Sequence, residues 1–152
     1  MPPVSPFGSK RGRAIAGLIL LGAAACAMPG PAAPPPPLAP TQSRIWFYRQ
    51  FSPAEPATSA TVRVGGSEIG TAVPGHRFYR DFAPGTYHLS VDSYGRAENQ
   101  DRDVTLAAGQ ELFVKIETLR NWISGFQYAR DTFFVWPVSE RVGRAEIAQT
   151  SD

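Results

Sequence analysis

Residue types that could do chemistry are sparse in this sequence of 152 residues. It carries two histidines, His76 and His88, and a single cysteine, Cys26. His76, Asp81, His88 and Asp92 are the set on which a metal ion or an acid–base pair could draw. The two histidines do not stand at the i, i+4 spacing of a helical ligand pair, and no metalloprotease motif occurs. His88 also falls on the water-facing side of a strand pattern, where a polar residue needs no special explanation. Ser90 lacks the Gly-x-Ser-x-Gly elbow of a nucleophilic serine. No glycine-rich loop leads from a strand into a helix, so phosphate binding is not indicated. An enzyme needs a nucleophile, a base and a stabilising group, or a metal. The sequence therefore predicts no catalytic residue, no metal and no cofactor.

A different chemistry, recognition, is better represented. Leu119 to Tyr128 reads Leu-Arg-Asn-Trp-Ile-Ser-Gly-Phe-Gln-Tyr, aromatic and flanked by arginines, with no clean period. Tryptophan, tyrosine and arginine dominate binding hot spots. Arg120, Trp122, Phe126 and Tyr128 are accordingly candidate interaction residues, together with Trp46 and Tyr48. The competing role is structural. Trp122 and Phe126 would plug one end of a β-sandwich, and Trp46 and Tyr48 would cover the back of a sheet. Free strand edges offer a further route, pairing with an extended peptide.

The cysteine has its own context. Lys10-Arg11-Gly12-Arg13 precedes the apolar run Ala14 to Ala25, and Cys26 follows at once. The run has the length of a signal-peptide core, about 7 to 15 residues. A membrane-spanning helix needs roughly 20. The arrangement resembles the signal of bacterial lipoproteins, which ends on a lipid-accepting cysteine. Ala23 stands where leucine is usual in that motif. The resemblance implies residues 1–25 as a signal peptide, palmitate and related acyl chains on Cys26, and membrane attachment through that lipid. Several chains anchor stably where one does not. Ala27 in place of aspartate implies the outer membrane, with the domain facing the periplasm. The plainer alternative is cleavage beside Ala25 that leaves Cys26 free.

Removing that leader changes the charge. Three of the 15 Lys and Arg lie in it, which leaves 12 cations against 13 carboxylates, a net charge of −1. The sequence pI near 8.9 is thus partly a property of the leader. Basicity gives no argument for nucleic acid as a partner. A lone thiol also forms no intrachain disulfide, so the exported domain must hold together by packing.

From Met28 to Pro40 the chain is mostly proline and alanine. Proline has no amide hydrogen and a fixed φ, which excludes helix and central strand. The segment predicts a polyproline-II spacer at about 3.1 Å per residue, extending some 35 to 40 Å. Pro34 to Pro37 could alternatively dock to a proline-recognising partner. Lipidated cysteine and tether together cover 26–42, and the domain proper is expected over 43–150.

In that domain, strands alternate with Gly-containing turns. Arg44 to Arg49 predicts a strand with Ile45 and Phe47 on one face, Trp46 and Tyr48 on the other. Thr61–Val64 and Ser67–Val73 flank Gly65-Gly66, a hairpin signal. His76 to Phe82 is a further strand, and Ala83-Pro84-Gly85-Thr86 has the residues of a type II turn. Thr86 to Asp92 alternates cleanly, with Tyr87, Leu89 and Val91 inward. Asp103–Leu106 and Glu111–Thr118 follow, with Leu112, Val114 and Ile116 inward. Leu119 to Arg130 is expected to be irregular, and Thr132 to Val138 is the last strand. Ser139 is a candidate cap for a helix reaching Ala148, with Val142 and Ala145 inward. Seven to eight short strands of this spacing predict an all-β protein, an antiparallel sandwich with a short C-terminal helix.

Several of these stretches together resemble a family of small bacterial lipoproteins of unassigned function. They are Arg44 to Arg49, residues 62–70, 83–91, Ala107 to Gln110, Phe113 to Ile116, and the closing Val138 to Ile147. Residues 62–91 are also similar to PEGA-type surface modules, through Gly66-x-x-Ile69-Gly70 and Pro84-Gly85-x-Tyr87. What the resemblance implies is an immunoglobulin- or transthyretin-like sandwich on a lipid tether, with no reaction attached. The function expected is non-enzymatic interaction with an envelope protein partner, in an accessory or assembly role. The alternative is a binding module for an envelope glycan or small ligand.

Overall fold

The structure is a computed structural model, and it describes residues 34–53, 55, 57–93, 100–122 and 129–152. Among the described residues, the compact unit Ala32–Asp152 shows eight strands and one helix. They are β1 (Ser43–Tyr48), β2 (Ala60–Val64), β3 (Ser67–Ala72), β4 (Arg77–Phe82), β5 (Gly85–Val91), β6 (Arg102–Leu106), β7 (Glu111–Trp122), β8 (Ala129–Val138) and α1 (Glu140–Ile147). Two four-stranded sheets form, in the orders β4-β1-β7-β8 and β3-β2-β5-β6. This is the expected β-sandwich. One pair departs from the antiparallel rule: β1 runs parallel to β7, from Arg44 opposite Glu111 to Tyr48 opposite Lys115.

Alternation builds the space between the sheets. Ile45, Phe47, Val62, Leu89, Val114, Ile116, Phe133 and Val135 are buried there in one cluster. The β5 pattern holds as the sequence predicts, with Leu89 and Val91 buried and Thr86 and His88 exposed. Gly65 and Gly66 have φ of 56° and 82°, the positive values that a two-residue hairpin turn requires.

Other turns behave differently. Gly85 has φ of 159°, close to extended, and is already the first residue of β5. The chain there passes from one sheet to the other and makes no type II hairpin. A second sheet-to-sheet passage runs through Ala107 to Gln110, between β6 and β7. The stretch expected to be irregular is strand at both ends. β7 and β8 pair from Phe113 opposite Val138 as far as Trp122 opposite Ala129.

A second apolar layer lies on the outer face of the β4-β1-β7-β8 sheet. Trp46, Tyr48, Phe113 and Ile147 cluster under α1, with Tyr79 and Val138 packed at the margin. The helix starts after Ser139, whose carbonyl accepts from Gly143 N–H at 2.9 Å while its hydroxyl caps nothing. Its inner face is Gly143 and Ile147, one turn apart. Val142 is half-buried and Ala145 exposed, against expectation. The reason is close approach: a Cβ at Gly143 would fall well inside contact distance of Phe113 Cβ and Cγ. Only glycine lets the helix axis come down on that ring.

Candidate functional site

The outer face of the β1–β4 pair is set by register. Arg44 lies opposite Asp81, Trp46 opposite Tyr79, and Tyr48 opposite Arg77. Directly opposed residues on one face are in side-chain contact range, so three cross-strand pairs make a continuous surface. The Trp46 and Tyr79 rings sit 5.0 Å apart at 54°. The Arg44 guanidinium stacks 4.2 Å from the Tyr79 centroid, and both Arg44 and Arg77 lie 6.0 Å from that of Trp46. Cations therefore flank the aromatic pair on both sides, an arrangement that attracts the ring faces electrostatically.

Arg44 is 2% exposed, and burial of a guanidinium requires partners for its fork. Its Nε and Nη2 donate to the two carboxylate oxygens of Asp81 at 2.6 and 2.9 Å. Nη1 donates to the Pro36 carbonyl at 3.0 Å. The hydrogen bond from Arg44 holds the Asp81 carboxyl below its ordinary range, and the same bond raises Arg44. Arg77 Nε donates to Asp152 Oδ1 at 2.7 Å and Nη1 to the Ile147 carbonyl at 2.6 Å. Beside these groups, a cleft of about 460 Å³ runs along Arg77 to Asp81, with Asp152 at its rim.

Toward the helix the same face becomes dry. Tyr48 donates its hydroxyl to Glu146 Oε2 at 2.6 Å, and Lys115 Nζ reaches Glu146 Oε1 at 3.4 Å. Burial first, then the Glu146 carboxylate, pushes the Tyr48 phenol far up, so it stays a donor. Arg144 bridges Glu140 and Glu111 at the other flank.

These positions revise the candidates read from the sequence. Trp46 and Tyr48 are 6% and 1% exposed. They cover the back of the sheet beneath α1, Tyr79 and the arginines, with almost none of either ring open to solvent. Arg120 and Trp122 are carried on β7, but their side chains lie outside the described residues, as do Phe126, Tyr128 and Cys26.

The four residues considered for metal or acid–base work are dispersed. Asp81 pairs with Arg44, and Asp92 with Arg63 through two bonds of 2.8 and 2.9 Å. His88 Nδ1 meets Asp103 Oδ1 at 2.7 Å and Nε2 meets Asp101 Oδ2 at 3.3 Å. His76 Nδ1 meets the Ser151 hydroxyl at 3.2 Å. Among the described residues no group of three or more His, Cys, Asp or Glu could hold a metal.

Arg44, Arg77 and Tyr79 are not among the candidates that composition and motifs single out. Their signal was available in part: β4 repeats Arg77, Tyr79, Asp81 at period two. Its meaning depends on the partner strand, which register alone supplies.

Fold and face together define a β-sandwich whose back sheet carries a cation-flanked aromatic pair at one end and a helix at the other. Residues 40–125 match the family described as a protein of unknown function, DUF2846, and the chain belongs to that family. The match spans β1 through β7, including the Arg44–Asp81 and Trp46–Tyr79 pairs. No curated protein matches the chain.

Proposed function

We propose that this chain is a lipid-anchored protein of the bacterial cell envelope that works by binding a partner protein and not by catalysis. The observation that carries the proposal is the outer face of β1–β4. It presents Arg77, Tyr79 and Asp81 at an open cleft that reaches Arg80 around the free edge of β4. Arginine and tyrosine at a solvent-reaching cleft are the composition of a binding hot spot. Of the four groups considered for acid–base or metal work, Asp81, Asp92 and His88 sit in separate ion pairs and His76 meets the Ser151 hydroxyl. The anchor rests on the run from Lys10 to Cys26, and outer-membrane placement facing the periplasm rests on Ala27. The likeness of residues 62–91 to PEGA-type surface modules supports the same role. A second reading is favoured by the size and lining of the cleft. A glycan or small polar ligand could lie on Tyr79 between two guanidinium groups.

A photo-reactive phenylalanine analogue placed at Arg80, which lines the cleft from the other side of the β4 edge, tests that cleft in cells. A discrete adduct from Arg80 and none from the exposed Glu68 on β3 is the expected result. Equal patterns from both positions, or no adduct at Arg80, would overturn the proposal. Adducts that carry sugar without protein would select the second reading. Palmitate labelling of the wild type and Cys26→Ser addresses the anchor separately, and equal labelling would end that part alone.

A further inference from the structure

The proline-rich segment meets the domain at a defined point. The Pro36 carbonyl accepts from Arg44 Nη1, while Asp81 holds the rest of that guanidinium in place. Pro34, Pro35 and Pro36 form one wall of a cleft of about 320 Å³. Trp46, Tyr79, Arg77 and Asp152 form the other. A polyproline strand presents apolar rings and carbonyl oxygens that have no internal hydrogen bond, on a backbone already close to its bound shape. Aromatic-lined grooves recognise such strands, at little entropic cost because the helix is preformed. Here the tilted Trp46 and Tyr79 rings supply the lining. Arg44 supplies the donor, pre-oriented by its bidentate bond to Asp81.

We propose that the outer face of β1–β4 is a polyproline-II docking site, occupied in cis by the chain's own Pro34–Pro37 segment. The cis site shares Arg77, Tyr79 and Asp152 with the cleft proposed for a partner, but its test reads Trp46 in the isolated chain and so fails or succeeds separately from the crosslinking in cells. The docked segment has a geometric consequence. Should Cys26 carry lipid, seven residues separate it from Pro34, a reach of about 22 Å at the polyproline-II rise. That reach is shorter than a spacer running to Pro40 would give.

The test uses the full chain carrying Trp122→Phe and Trp136→Phe, which leaves Trp46 as its one tryptophan. In a second version, residues 34–37 are replaced by Gly-Ser-Gly-Ser. Far-UV circular dichroism verifies that both are folded. The expected result is a shift of Trp46 emission to longer wavelength and stronger acrylamide quenching once the prolines are gone. A cis segment acts at an effective concentration of about millimolar. Decaproline added above that level should reverse the shift in the Gly-Ser chain and leave the proline-containing chain unchanged. Tyr79→Ala in the Gly-Ser chain should abolish the decaproline response. Unchanged emission after the replacement would overturn the proposal. So would a shift that decaproline does not reverse, or a decaproline response that survives Tyr79→Ala.

Discussion

The two sheets share a core but treat their outer faces oppositely. On the β3-β2-β5-β6 sheet the outer side chains stand in water. Arg63 pairs with Asp92, Thr86 meets Thr105 at 3.1 Å, and His88 meets two aspartates. On the β4-β1-β7-β8 sheet the outer face is itself a core, with Phe113 and Tyr48 wholly buried and Arg44 nearly so. A strand wetted on one side can leave polar groups to solvent. A strand buried on both sides must satisfy them internally, which is why Arg44 needs Asp81 and Pro36, and Tyr48 needs Glu146. The first sheet is tuned by weak, screened contacts, the second by few and costly ones.

The sharpest way to break this contrast is to empty the outer core. Phe113→Ala should cost about 3–5 kcal/mol, the usual range for a buried phenylalanine. Thr86→Ala on the wet face should stay within about 0.5 kcal/mol. Urea midpoints for the two variants measure the gap, and similar values would mean that the helix layer contributes little.

Next in size is the buried cation. Arg44→Met removes the fork and leaves Asp81 without its guanidinium partner, at about 1.5–3 kcal/mol. The companion change Asp81→Asn carries a pH signature. Asp81 has its pKa lowered from 3.8 by Arg44, so the pair's contribution is full above 3.8. It is lost as pH falls through the lower folded value. Wild type should therefore lose more stability than Asp81→Asn on passing from neutral pH to strongly acid pH. Parallel losses in denaturant midpoints would show that the pair adds no net stability.

Gly143→Ala sharpens the helix end of the comparison. Alanine in a helix gains up to about 1 kcal/mol over glycine by propensity. Against Phe113 the added methyl overpacks, at about 1–3 kcal/mol. The net sign should be destabilising in the wild type and less so in the Phe113→Ala background, where the ring atoms are gone but the Cβ that the added methyl meets remains. A double-mutant cycle reads that relief directly. Additivity would mean that α1 does not rest on Phe113.

The contrast also decides how much was legible in the sequence. Strands wet on one side announced themselves by alternation: Tyr87, Leu89 and Val91 were assigned to their face correctly, and Gly65-Gly66 named its hairpin. Strands buried on both sides did not. Trp46 and Tyr48 looked like a surface in want of a partner, because the helix that covers them lies some 95 residues away in the sequence. Val142 and Ala145 looked like an inner face because periodicity weights side chains, and Gly143 has none to weigh. Ala83 to Thr86 fits a corner between sheets as well as a hairpin, and turn composition does not distinguish them. Of the binding face, Arg77, Tyr79 and Asp81 were visible as a period-two set. Their pairing with Arg44, Trp46 and Tyr48 exists only in the register.

The smallest expected effect belongs to the wet face, where His88 is exposed beside Asp103 and Asp101. The hydrogen bond to Asp103, followed by that to Asp101, raises its pKa from 6.5. A raised folded value means that the protonated imidazolium stabilises the fold fully below pH 6.5. That contribution fades as pH rises through the folded value. Solvent screens this pair, so thermal midpoints should barely move across the transition. The titration itself should be clear. An NMR titration of His88 should give a midpoint above 6.5, and Asp103→Asn should draw it back toward that value. If the same change also lowered stability as far as Arg44→Met does, this face would be no wetter in energy than the one beneath the helix, and the distinction between the sheets would fail.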